Sequence, residues 1–208
     1  MFTQAIRAAI IAALVAFLPA AASSAQAPSV ADSIAFVQQR CDSAAAALDA
    51  SAEASTPDWG PAFLTGCGPS GRQVLARATR ALRFSANRGR IREIYEFAAL
   101  TGDTAVLSAA VAVAGDVGAT PAARAHAIRA ALMLSNPGLD IDVDRLLDGS
   151  AAAACEPVAT SYPPDQGGLT TTARDQGFTA IRAVASDSSA PSAVRAAARC
   201  ASRARPAP

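Results

Sequence analysis

Apolar residues recur along this chain at three- and four-residue steps, the spacing that lines one face of an α-helix. Val30, Ile34, Val37, Cys41, Ala44 and Leu48 form the first stripe and predict a helix over residues 30–50, capped by Ser29. Between residues 51 and 71 the pattern dissolves into Ser, Pro, Gly and Asp, a loop that carries Trp59, Phe63 and Leu64. Ser70 then reads as the cap of a second helix that reaches Phe84, with Val74, Leu75, Ala78 and Leu82 inward. A third helix follows Asn87-Arg88-Gly89, presents Ile91, Ile94, Tyr95 and Ala98, and stops at Gly102. Asp103 caps a fourth, whose stripe is Val106, Leu107, Ala110, Val111 and Ala114. Thr120-Pro121 is an N-cap followed by Pro at the first helical position, and this fifth helix runs to Leu134 before Asn136-Pro137-Gly138.

The stretch 136–170 is long for a connection inside a compact domain. It holds a predicted short helix over Val143–Leu147, the Ala151–Ala154 run and an extended Pro-rich piece. Thr172 opens a sixth helix with Phe178, Ile181 and Val184 inward, and Pro191 a seventh through Val194, Ala197 and Ala201. The end of the chain, 205–208, reads as a disordered tail. Ala and Arg dominate the composition and both favour helix. Aromatic residues are only 5% of the chain, which argues against a β-sandwich or barrel.

The amino end has a different character. Arg7 precedes an uninterrupted apolar run from Ala8 to Leu18, Pro19 breaks it, and small residues follow. This is the pattern of a secretory signal peptide over residues 1–25, cleaved after Ala25. The run is too short and too Ala-rich for a membrane anchor, which needs about 20 strongly apolar residues. Residues 26–204 are then a single exported domain, periplasmic or secreted, with no transmembrane segment. Export makes oxidation the default for Cys41, Cys67, Cys155 and Cys200. Three pairings are open; the sequential one, Cys41–Cys67 and Cys155–Cys200, is preferred because each bridge would clamp a Pro/Gly-containing loop to a neighbouring helix. Metal binding fails on spacing, since the sequence has no C-x-x-C and no Cys/His cluster.

Charge sharpens the picture at one place. Basic residues number 18 and acidic residues 17, every basic one is Arg, and the loss of Arg7 with the leader balances the two. A neutral chain without interleaved aromatics is not a nucleic-acid binder. Yet Arg72, Arg77, Arg80, Arg83, Arg88, Arg90 and Arg92 follow one another with no acid before Glu93. Arg72, Arg77, Arg80 and Arg83 fall on one side of the second helix, away from Val74, Leu75 and Leu82. They form a candidate binding face for anionic lipid or an acidic partner. The competing expectation is a solvated helix side, or pairing with the acidic stretch 28–71.

Three chemical motifs deserve testing against spacing. Gly66-Cys67-Gly68-Pro69-Ser70-Gly71 spells G-x-G-x-x-G, but no strand precedes it and Pro69 lacks a backbone donor, so it reads as a turn that places Cys67. Asp140, Asp142 and Asp144 alternate as in a calcium loop, but Arg145 and Ala151 stand where an EF-hand requires Gly and Glu. Asp144 is instead expected to cap the short helix. His126 is the only histidine and the only imidazole available as a base, in the middle of an Ala/Arg-rich helix. No G-x-S-x-G elbow accompanies it.

Ala119-Thr120-Pro121-Ala122-Ala123-Arg124 parallels Ala190-Pro191-Ser192-Ala193-Val194-Arg195, each opening an Ala/Arg-rich helix. Over residues 88–204 this resembles HEAT-type helical repeats, whose second helix often opens with Pro and carries Val-Arg-x-Ala-Ala, as at Val194–Ala198. The resemblance implies an all-α fold, a short right-handed stack of antiparallel helix pairs stapled by disulfides; an irregular helical bundle is the alternative. The function expected from it is a non-catalytic binding or scaffold module for a protein partner in the cell envelope, without a cofactor. The rival is an envelope enzyme that uses His126 or the 136–170 loop.

Overall fold

The structure, a computed structural model, describes residues 30–53, 64–149, 157–159 and 169–204. The leader at 1–25, Trp59 and Phe63, Cys155 and the tail 205–208 lie outside the described residues. The described part is mostly helical: α1 Val30–Ala50, α2 Gly68–Ala81, α3 Arg88–Leu100, α4 Thr104–Gly115, α5 Pro121–Ser135, α6 Val143–Leu147, α7 Thr171–Ser186 and α8 Ser192–Arg203. A 3₁₀ turn, Leu82–Phe84, extends α2. The chain divides into two units between Phe36 and Val37, inside α1, and the unit from Val37 onward carries the core.

Caps set the boundaries. Asn87, Asp103, Thr120, Asp142 and Thr170 each accept a backbone N–H of the first helical turn, at 3.1, 2.7, 3.3, 3.2 and 3.2 Å. Each such cap is worth about 1 kcal/mol. Several differ from the sequence reading. Thr170 rather than Thr172 starts α7, and Pro191 is itself the cap of α8 rather than a residue of its first turn. Ser70 does not cap α2, because Gly68 turns the chain at φ +63 and starts the helix earlier; the Ser70 hydroxyl donates back to the Cys67 carbonyl. Asp142, not Asp144, caps α6. Leu139–Asp140 pairs antiparallel with Val158–Ala159, a two-residue ladder absent from the expectation of a long connection with one short helix and an extended piece.

The inward stripes fall as the periodicity requires, with two exceptions. Among the described side chains of α1, Cys41, Ala44 and Leu48 are buried, while Ile34 and Val37 are exposed. Amphipathic spacing shows which face is apolar and not how far along the helix that face is covered. On α4 it is Val113 that is buried, with Val111 half-buried at the rim of a shallow groove. The Cys41–Cys67 bridge joins α1 to the turn before α2, across a Cα separation of 5.6 Å. Here Gly71 is obligatory: a Cβ on it would stand 2.2 Å from the Leu64 carbonyl oxygen. Cys200 is fully buried in α8.

The helices pack as neighbours in sequence and as alternates. α2 packs on α3, α4 on α5 and α7 on α8; α2, α4 and α7 pack in one series, α3, α5 and α8 in another. The turns inside the last two pairs are the same structure. Asp116 N donates to the Val113 carbonyl, Asp116 Oδ1 accepts from Gly118 N at 2.9 Å, and Ala119 N returns to the Asp116 carbonyl. Asp187 does the same with Val184, Ser189 (2.8 Å) and Ala190. Ser85 supplies the equivalent side-chain acceptor in the first pair, for Asn87 N. Arg124 Nε donates to the Ala114 carbonyl at the end of α4, and Arg195 reaches back to the Ser188 carbonyl.

Helix α5 lies at the centre, against α3, α4, α6, α7 and α8, and is buried nearly all round. Its neighbours approach closely because Ala122, Ala123, Ala125, Ala127, Ala130 and Ala131 present no bulk. An Ala methyl buries much less apolar area than a Leu side chain, which is worth about 1.5–3 kcal/mol. The fold therefore leans on close contact, caps and the staple more than on large core residues.

A polar cleft at His126

Being wrapped, α5 buries whatever it carries. His126, in the middle of this Ala/Arg-rich helix, is 1% exposed, because Ile128, Leu132, Met133 and Leu134 together with the alanines leave this helix no solvent face. It opens into a cleft of about 440 Å³ lined by Arg92 and Glu96 from α3, Arg129 from α5, residues 140–144 from the β1–α6 segment, and Val158 from β2. The histidine and the 136–170 connection, two separate features of the sequence, meet here.

Arg129 organises the floor. Its Nε and Nη2 make a two-pronged bond to Asp140 at 2.7 Å each, and Nη1 reaches Glu96 at 3.1 Å. Burial works against the charge, but the two carboxylates outweigh it and hold the guanidinium more firmly protonated than an ordinary Arg. Asp140 also accepts from Ile141 N at 2.7 Å, so the β1 segment is fixed to α5. Asp142 is occupied as the α6 cap and by Arg145 at 3.1 Å. Asp144 faces Arg92 at 3.3 Å with one oxygen, and with the other stands 3.5 Å from His126 Nε2. That second separation is beyond a good hydrogen bond. Among the described residues neither buried ring nitrogen of His126 has a hydrogen-bond partner of good geometry, Asp144 Oδ1 being the polar atom nearest Nε2. Burial pushes the imidazole pKa down to about 4; Asp144 pulls it upward, while Arg129 and Arg92 push it further down. At neutral pH the ring is uncharged.

The Arg72–Arg92 run is distributed over carboxylates. Arg72 faces Asp103 at 3.3 Å, Arg77 grips Asp49 at 3.0 and 2.7 Å, and Arg83 lies 3.6 Å from Asp116 with its guanidinium over the Phe84 ring. Arg80 is exposed. Arg88 and Arg92 pair with Asp148 and Asp144, and the nearly buried Arg90 binds Glu93 and the Ala52 carbonyl. Among these carboxylates of the described residues, Asp49 is the one that comes from the acidic stretch 28–71, and Ala52 adds a backbone carbonyl from it. Such exposed pairs are worth about 0–1 kcal/mol each, so the run is a tethered surface and not an open field.

Among the described residues no group of three His, Cys, Asp or Glu side chains is placed to hold a metal ion, and no helix is long and apolar enough to cross a membrane. No protein-family model, curated protein or solved structure matches this chain.

Proposed function

We propose that this chain is an exported, non-catalytic binding module, built as a HEAT-like stack of helix pairs, that engages its partner through the cleft at His126. The observation that carries the reading is the buried imidazole facing that cleft, whose two nitrogens have no hydrogen-bond partner among the described residues. A buried polar group left unpaired costs about 1–3 kcal/mol, so an arrangement of this kind is explained by something that satisfies it. The lining offers carboxylates, guanidiniums and an imidazole, and among the described residues no hydroxyl or thiol nucleophile, which favours binding over acyl transfer. Export is supported by the leader-like pattern of residues 1–25 and by the Cys41–Cys67 bridge. The recurring Asp turn and the alternate-helix packing support the stack.

A photo-crosslinking residue at Val158, exposed beside the cleft, is to be compared with one at Val117, exposed on a distant turn. In the exporting cell, a discrete adduct from position 158 that is absent from 117, and that weakens with Asp144→Asn, is expected. Equal adducts from both positions, or none from 158, would overturn the reading.

A further inference from the structure

The cleft has a chemical bias that narrows its ligand. Four carboxylates, Glu96, Asp140, Asp142 and Asp144, face two guanidiniums, Arg92 and Arg129. Asp140 is spent on Arg129 through both oxygens, Glu96 gives Arg129 one oxygen, and Asp142 serves the α6 cap and Arg145. Asp144 is the carboxylate that has capacity left beside His126, since its cationic partner among the described residues, Arg92, is 58% exposed and bonded at 3.3 Å. Its Oδ1 points toward the buried His126 ring, whose neutral form offers one acceptor nitrogen. Ile141, Val143 and Val158 give the cleft an apolar wall.

We infer that this cleft takes the ammonium end of a small organic cation, an alkylamine or the side chain of a basic residue, with Asp144 as counter-ion and His126 as hydrogen-bond acceptor. An ammonium group brings three donors and no acceptor, so it can satisfy a carboxylate oxygen and an imidazole nitrogen together. Its hydrocarbon stem would lie on the Ile141, Val143 and Val158 wall. An anion would meet the excess of carboxylates. The space, about 440 Å³, suits a small ligand. The inference rests on the cleft being the binding site and goes on to name the group it binds.

The sole histidine gives an unambiguous probe. Protein labelled at histidine is titrated at neutral pH with butylammonium chloride, sodium butyrate, butanol and zinc chloride, and the His126 ring signals are followed. Saturable shifts with butylammonium alone are expected. Asp144→Asn should weaken them about tenfold, and Arg92→Ala, which frees Asp144, should tighten them. Because the two variants move in opposite directions, a folding defect in one leaves the other decisive. A peptide with one internal lysine, run beside butylammonium, tells a side chain from a free amine by which binds more tightly. A response to butyrate or butanol would overturn the cation and leave the cleft a binding site; a response to zinc alone would replace the cation with a metal. Silence to all four overturns the cation, and the Val158 adduct then decides the binding reading independently.

Discussion

Lowering the pH should unfold this protein partly through one residue. In the unfolded chain His126 titrates near 6.5; in the fold burial lowers it to about 4. Between those values the unfolded state binds a proton that the folded state refuses, so stability falls as the pH falls through that window. Above pH 6.5 the contribution is fully present, and below pH 4 it is gone. A difference from 6.5 to about 4 corresponds to about 3 kcal/mol. Carboxylates titrate over part of the same range, so the quantity to measure is the difference between wild type and His126→Phe. Phe keeps a ring of similar size, does not titrate and has no nitrogens to leave unpaired. Near neutral pH the two proteins should lie within about 1 kcal/mol, because lost packing is offset by removal of an unsatisfied group. Urea unfolding from about pH 7.5 to about pH 4.5 should show wild type losing about 2–3 kcal/mol more than the variant. The His126 ring signal of folded protein should titrate with a midpoint near 4. Parallel stability curves, or a midpoint near 6.5, would refute the burial argument.

Other perturbations follow from single contacts. Arg129→Met strands Asp140 and Glu96 and should cost about 3 kcal/mol, with faster amide exchange at Ile141, whose N–H is held by Asp140. Gly177→Ala places a Cβ 2.2 Å from Ser135 Oγ and should destabilise by about 1–3 kcal/mol in thermal melts. On a Ser135→Ala background most of that penalty should disappear, leaving the tight 3.2 Å approach to Leu107 Cδ1 against the gain of about 1 kcal/mol from replacing Gly in the helix; an unchanged penalty would count against the contact. Reducing Cys41–Cys67, or replacing both with Ala, opens a loop of 26 residues and should cost about 3.5 kcal/mol, read as a drop of roughly 10 °C in Tm.

Much of the architecture was legible because caps and periodicity are local. Asp103 and Thr120 name their own helix starts, and α6 stood out at Val143–Leu147 from its apolar residues alone. Gly68 shows the limit: its left-handed backbone starts α2 two residues before the Ser that looks like a cap. The two-residue ladder between β1 and β2 joins residues about 19 apart, and nothing in either dipeptide announces it. The cleft was hidden for a different reason. His126 is flanked in sequence by charged Arg124 and Arg129, yet Arg124 is buried with it and Arg129 is half-buried against Asp140 and Glu96. The readable signal was that Ile128, Leu132, Met133 and Leu134 leave α5 no polar side, which makes it a central helix and every polar residue on it an interior one.

The internal repetition also locates the cleft. Shifting the α4–α5 pair by 71 residues carries Asp116 onto Asp187, Val113 onto Val184, Ala110 onto Ile181, Ala123 onto Val194 and Arg124 onto Arg195. Those positions keep the turn, the buried stripe and the arginine that reaches back to close the pair. The same shift carries His126 onto Ala197 and Arg129 onto Cys200, both fully buried. Where the last pair fills these two interior positions with small apolar groups, the central pair has an imidazole and a guanidinium. A helical fold that needed only to be stable would do better with the apolar choice at both, since buried polar groups are at best neutral when satisfied and costly when not. Arg129 is satisfied by Asp140 and Glu96, which fixes the floor of the cleft, and His126 is not satisfied within the described residues. The two departures from the repeat therefore fall on the frame of the cleft and on its open hydrogen-bonding group, which is where a binding function would place them.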